Sequence, residues 1–262
     1  MDRASGPAAA IRRAGSLALI TGFLALAGLS LAGCTSSSSS PGAGSSPGTA
    51  TASPGLSVPG THQATSRYQI TAPVRTVVIV SHVGNVTVTG GSDPAVSVTQ
   101  QAYYSKTPPA TTSTVSGNTL TVTYDCRAQL VCGVAYTLAV PRSVTVRVTA
   151  GAGAVRLAGL AGSVTAKASV GLISATGLTS ASVSLTTRVG GISASFAAAP
   201  ATVQASTTVG AITVRVPGTV SYKIAADARV GKTTISAPQS ASSGHAITAT
   251  TDAGAIVVTT LQ

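Results

Sequence analysis

Three sets of residues in this chain are candidates for chemistry: its cysteines, its few histidines and aspartates, and its singly placed cations. Cys34 stands out by context. It closes the tetrapeptide Leu31-Ala32-Gly33-Cys34, behind an apolar run over 17–32 and a leader carrying Arg3, Arg12 and Arg13. Small residues ahead of a cysteine in that setting read as a lipobox. Cys34 is then the first residue of the mature chain, and its thiol carries a diacylglycerol. Two acyl chains of the palmitate class hold a membrane stably where one is marginal. The expectation is an exported lipoprotein, anchored at the outer face of the cell membrane. A run of 16 residues is short for a transmembrane helix, which needs about 20, and an uncleaved anchor helix is the alternative. Arg12-Arg13 suggests twin-arginine export, but Ala14-Gly15-Ser16 does not continue that consensus, so ordinary secretion stands beside it.

The other two cysteines, Cys126 and Cys132, are close in sequence and expected to bond in an oxidising compartment. They sit between two strand-like runs, which fits a disulfide pinning a hairpin turn. A metal site needs more ligands than this neighbourhood offers, and redox catalysis favours a tighter Cys-x-x-Cys spacing.

Past the leader the acids are Asp93, Asp125, Asp227 and Asp252, and the histidines are His62, His82 and His245. Nucleophilic or acid–base catalysis needs a base beside a nucleophile or a partner acid, and no local motif supplies that pair. No Gly-x-Ser-x-Gly elbow occurs, and Gly151-Ala152-Gly153 is followed by no helix that could hold a phosphate. The sequence therefore predicts no catalytic residue, no cofactor and no metal. A pocket gathering His82, Asp93 or Asp125 would revive an enzymatic reading.

Removing residues 1–33 leaves 13 Lys and Arg against four Asp and no Glu, a net charge of about +9. A basic exported protein is drawn to anionic wall polymer or anionic lipid headgroups. Nucleic acid fits less well, because aromatics are few and the cations are scattered. The plainer alternative is that the charge only keeps the domain soluble.

Those cations must be positioned by the rest of the chain. Residues 34–66 carry the lipidated cysteine and a Ser, Gly, Pro and Thr stretch with Ser36 to Ser40 in a row. Such a segment buries too little apolar surface to offset its ordering entropy, and reads as a disordered tether spanning roughly 30 Å. It also suits O-glycosylation. Residues 67–262 read as one domain, ample for a sizeable core.

Within it a phrase recurs: Val170-Gly171-Leu172-Ile173, Val189-Gly190-Gly191-Ile192, Val209-Gly210-Ala211-Ile212, Val230-Gly231-Lys232-Thr233 and Ala253-Gly254-Ala255-Ile256. The glycines are 19, 20, 21 and 23 residues apart. Each repeat holds two period-two stretches, the mark of strands with one buried face. The predicted fold is all-β: a two-sheet β-solenoid with a repeat of about 20 residues, its successive isoleucines forming one interior column. Small inward residues such as Ala175, Ala194 and Ala205 imply thin spacing between the sheets. An ordinary β-sandwich is the alternative. Strands are expected near 76–81, 85–89, 96–103, 119–124, 134–140 and 144–149, as longer hairpins capping one end. The other end closes at 256–261 with no cap, an open strand edge for self-association.

Val83-Gly84-Asn85-Val86-Thr87-Val88 and the later Val-Gly-x-Ile phrases resemble the bacterial putative-adhesin domain built from β-strand repeats, over roughly residues 68–262. The resemblance implies an envelope location and a repeat-strand fold. It carries over no catalytic residue.

Repeat registration sharpens the search. The residues two before the turn glycines are His82, Ser169, Arg188, Thr208, Arg229 and Asp252, expected as one row along an outer edge. Arg229 and Asp252 would be one turn apart and able to pair. With Arg215 and Lys232, Arg188 and Arg229 form the candidate edge for an anionic ligand. A solvated face with scattered charges is the alternative. Thr87, Thr89, Ser174, Ser193, Thr213 and Thr233 are expected to form hydroxyl rows, which suggest ice or carbohydrate binding against a default of a solvated Thr-rich face. The function expected is a non-enzymatic, lipid-anchored surface protein that binds or scaffolds envelope components. The rivals are a self-associating structural module and, further off, an unrecognised enzyme.

Overall fold

A computed structural model describes residues 61–127 and 129–261. Cys34, the leader and the tether up to residue 60 lie outside the described residues. Within them the chain is all-β, and no helix is long and apolar enough to cross a membrane.

The first part holds β1 (His62–Ile70), β2 (Thr76–Val83), β3 (Val86–Gly91), β4 (Val96–Tyr104), β5 (Ala110–Ser116), β6 (Thr119–Asp125) and β7 (Cys132–Pro141). Then come β8 (Thr145–Ala152), β9 (Val155–Ala158), β10 (Val164–Val170), β11 (Ile173–Leu178), β12 (Ser182–Val189), β13 (Ile192–Phe196), β14 (Thr202–Val209) and β15 (Ile212–Val216). The last are β16 (Lys223–Val230), β17 (Thr233–Ile235), β18 (Ala246–Ala253) and β19 (Ile256–Thr260). They form two sheets. One has the order β1-β4-β7-β3-β9-β11-β13-β15-β19-β17, the other β16-β18-β14-β12-β10-β8-β2-β6-β5. From β8 onward the chain alternates between the sheets, and each strand pairs in parallel with its equivalent from another repeat.

Alternation of apolar and polar residues produces this arrangement. In β12, Val183, Leu185 and Thr187 are buried, while Arg188 and its outward neighbours are not. The expected isoleucine column is present. Val86, Val155, Ile173, Ile192, Ile212 and Ile256 are register partners in series, each at most 2% exposed. Ala175, Ala194 and Ala205 are also buried.

The corner between sheets is a stacked glycine. Gly84, Gly153, Gly171, Gly190, Gly210, Gly254 and Gly231 have φ between 132° and 151°, which other residues rarely adopt. A Cβ on Gly190 would also collide with the Gly171 carbonyl, and one on Gly210 with the Gly190 carbonyl. Threonines brace the stack from inside. The Thr187, Thr207 and Thr251 hydroxyls donate to the carbonyls of Gly171, Gly190 and Gly210, at 3.2, 3.0 and 3.1 Å.

Of the expected capping hairpins only β5–β6 forms, and β5 is not among the expected strands. β1, β4 and β7 also pair antiparallel but are not consecutive in the chain. The strands expected at 76–81, 85–89, 119–124, 134–140 and 144–149 instead pair in parallel as turns of the stack, β2 with β6 and β8 and β3 with β7 and β9. They do so because they carry the same alternation as the repeats. The Tyr68 hydroxyl on β1 bonds Ser113 on β5, joining the two sheets, and accepts from Gln100 at 2.7 Å.

Four more expectations are corrected. β1 begins at His62, inside the segment read as tether; its residues are mostly polar and exposed, so backbone pairing with β4 rather than apolar patterning makes it a strand. The Cys126–Cys132 disulfide is formed, with Cα atoms 6.0 Å apart, but it closes no hairpin. It joins the end of β6 in one sheet to the start of β7 in the other. The C-terminal strand is not an edge, because β19 has β15 on one side and β17 on the other. β18 likewise lies between β14 and β16, so the last repeat is inserted and the open edges are β16 and β17. Finally, Thr233 registers with Ile256 in the inward column, and Thr234 takes the outward place.

Every buried core residue and strand pairing of the described residues falls within 59–262, one compact unit. A segment that encloses its whole core meets the condition for folding alone.

Candidate functional site

Each strand crosses a sheet with one face inward, so polar residues of successive repeats are forced into rows on the outer faces. All thirteen Lys and Arg of this unit are exposed. On the outer face of the nine-stranded sheet stand Arg147, Lys167, Arg188, Lys223 and Arg229, with Asp125, Asp227 and Asp252 as the acids. Ser184, Thr186, Thr248 and Thr250 fill much of the space between them.

The predicted edge row exists in the order His82, Ser169, Arg188, Thr208, Asp252, Arg229, from the register of the strands that carry it. Insertion of β18 puts Asp252 between Thr208 and Arg229. The Arg229 guanidinium meets the Asp252 carboxylate at 3.6 Å, with both side chains more than half exposed. An ion pair so exposed adds little stability. Arg188 lies three strand spacings from Arg229, about 14 Å.

Of the other two candidates, Lys232 directly follows the corner Gly231, on the far side of the same edge. Arg215 does not join them. It points outward from β15, in register with Ser195 and Thr259, on the outer face of the ten-stranded sheet. The cause is its distance along the strand, five residues past Gly210 where Lys232 is one past Gly231.

A second row at this corner was not anticipated. The residue immediately before each glycine is Val83, Ala152, Val170, Val189, Val209, Ala253 and Val230, all register partners in series. The five valines are 44–67% exposed, and Leu172 beside them is 46% exposed. The signal is legible in the repeated Val-Gly pair, which as a sequence pattern marks only the turn.

The residues that could support catalysis form no paired group. His82, next to last in β2, meets the Tyr124 ring edge-on at 5.5 Å, which brings it to the same end of the sheet as Asp125. No ion pair joins the two among the described residues. Asp125 ends β6, while Asp93 lies past the far end of β3, where its carboxylate accepts from the Ala95 amide at 2.8 Å. His62 stacks on Tyr104, and the His245 ring is 2.8 Å from the Pro200 carbonyl. Among the described residues no group of three His, Cys, Asp or Glu comes together to hold a metal. Burial raises the Tyr68, Tyr136 and Tyr222 hydroxyls above the ordinary tyrosine value. Repulsion from Tyr68 and Tyr124 adds to the shift at Tyr136.

No family model matches the chain, and no functionally described protein does. Among solved structures, it is similar to a putative cell adhesion protein from Clostridium sporogenes, at 14% identity and a TM-score of 0.44, covering 76% of this chain and 100% of that one. It is also similar to a putative adhesin from Bacteroides fragilis, at 15% identity and TM-score 0.34, covering 76% and 97%. A putative adhesin from Parabacteroides distasonis follows, at 10% identity and TM-score 0.31, with the same coverage.

Proposed function

We propose that this chain is a non-enzymatic surface protein, exported and held at the membrane by lipidated Cys34, whose repeats wind as a two-sheet β-solenoid. It presents rows of cations and hydroxyls to anionic polymer of the cell envelope. The observation that carries the reading is the distribution of charge. All thirteen Lys and Arg of the folded unit are exposed, four Asp oppose them, and the buried positions are apolar or uncharged. Coulomb attraction from such a face gives salt-sensitive binding with little demand on ligand sequence. The test is a pull-down of residues 59–262 against cell-wall and membrane fractions at two salt concentrations. Retention at low salt that fades at high salt supports the reading. No retention at low salt contradicts it.

A second reading rests on the open end of the stack. Ile224, Ala226, Ala228 and Ile235 face inward but stay half-buried, because no further strand covers β16 and β17. A second copy adding strands there would make the protein a stacking module, and salt-insensitive oligomers of residues 59–262 would favour it. The charges of Lys223, Asp227 and Arg229 along β16 guard against such pairing.

A further inference from the structure

The valine row is hard to reconcile with a purely solvated corner. Exposed apolar residues scattered singly need no explanation, but a continuous stripe does. This one follows seven strands, a length of about 29 Å at about 4.8 Å per strand. It is a narrow ridge, since it follows the glycine corner where the two sheets meet, with Leu172 and small residues beside it. A ridge offers no cleft for a peptide or sugar, and two ridges bury each other poorly. A deformable apolar medium accepts it. Cations flank it on both sides, with Arg188 and Arg229 before the valines and Lys232 after the glycine. Asp252, the acid in the neighbouring row, is paired with Arg229.

We infer that this corner is a membrane-docking edge. The valines enter the headgroup boundary of an anionic bilayer, and Arg188 and Lys232 bind the lipid phosphates around them, while Arg229 offsets the charge of Asp252. Apolar insertion beside interfacial cations is the pattern by which peripheral elements bind anionic lipid. The inference deepens the proposed function by naming the anionic partner of this edge, and it rests on that reading. Edge-on docking leaves both outer faces free for other ligands.

The test uses residues 59–262, which dispense with the leader and Cys34, and vesicles of phosphatidylcholine alone or half phosphatidylglycerol. Sedimentation is expected with the phosphatidylglycerol vesicles only. Replacing the ridge by isosteric threonine (Val170→Thr, Val189→Thr, Val209→Thr) keeps the β-branched shape and is expected to weaken vesicle binding about ten-fold or more. Retention on soluble polyglycerol phosphate should be unchanged by these substitutions. The chain has no tryptophan, so Val189→Trp is a clean reporter whose emission should shift blue on phosphatidylglycerol vesicles. Equal vesicle binding by the threonine variant, or no blue shift, overturns the docking edge. Binding to polyglycerol phosphate without binding to vesicles overturns the edge and spares the proposed function. Failure to bind either removes both.

Discussion

Gly190 and Gly177 are both glycines with positive φ, yet they should respond to substitution very differently. At Gly190, φ is 140° and a Cβ would strike the Gly171 carbonyl. Gly190→Ala is expected to cost about 3 kcal/mol or more, through strain and the clash together. Gly177 has φ of 61° with nothing within 4 Å of a Cβ. Asparagine tolerates that conformation, so Gly177→Asn is expected to cost about 1 kcal/mol or less. Urea denaturation of residues 59–262 measures both, and equal losses would contradict a close-packed glycine column. Tyr136 gives a second test. Its hydroxyl is buried with no hydrogen-bond partner in the protein. Tyr136→Phe is therefore expected to be neutral or stabilising by up to about 1 kcal/mol. Because burial raises the Tyr136 hydroxyl in the folded chain, its ionisation does not affect stability below the ordinary value of 10.0. As pH rises from there the unfolded chain ionises first, and stability falls. Stability should hold up to about pH 9 and fall beyond pH 10, less steeply in the Phe variant. Denaturation across that range reads the difference.

Strands were legible in the sequence where apolar residues alternate around a repeated glycine. Ile173, Ile192 and Ile212 marked β11, β13 and β15 and fixed their common column. β1 and β5 were not legible, because HQATSRYQI and ATTSTVS lack alternation and owe their conformation to backbone pairing at a sheet edge. The insertion of β18 and β19 was hidden for another reason. Repeats are interchangeable partners, so Ile212 could face Thr233 as readily as Ile256 by pattern alone. Packing decides it. Ile256 continues the column, while the short β17 with Thr233 in that place loses less at the edge. Cysteine pairs separate the two orders. Thr208→Cys with Asp252→Cys should oxidise to a disulfide, and Thr208→Cys with Arg229→Cys should not; strands stacked in chain order would give the reverse. The native disulfide acts at this scale too, tying β6 to β7 across the sheets. In the chain-entropy account a loop this short contributes about 2 kcal/mol, so replacing Cys126 and Cys132 by serine should lower stability by that amount in a denaturant titration.

At the scale of the whole molecule, repetition becomes surface. Stacking one repeat on the next aligns the cations of distant sequence positions on the outer face of the nine-stranded sheet, and aligns valines along one corner. Composition alone showed the charge, but not that Arg147, Lys167, Arg188, Lys223 and Arg229 share a face, nor that Arg215 stands on the other. Chemical-shift mapping of residues 59–262 titrated with polyglycerol phosphate tests this most directly. The amides around Arg147, Lys167 and Arg188 should shift together and return as salt is added. Shifts confined to the hydroxyl rows of the ten-stranded sheet around Ser174 and Ser193, or none at low salt, would contradict the account.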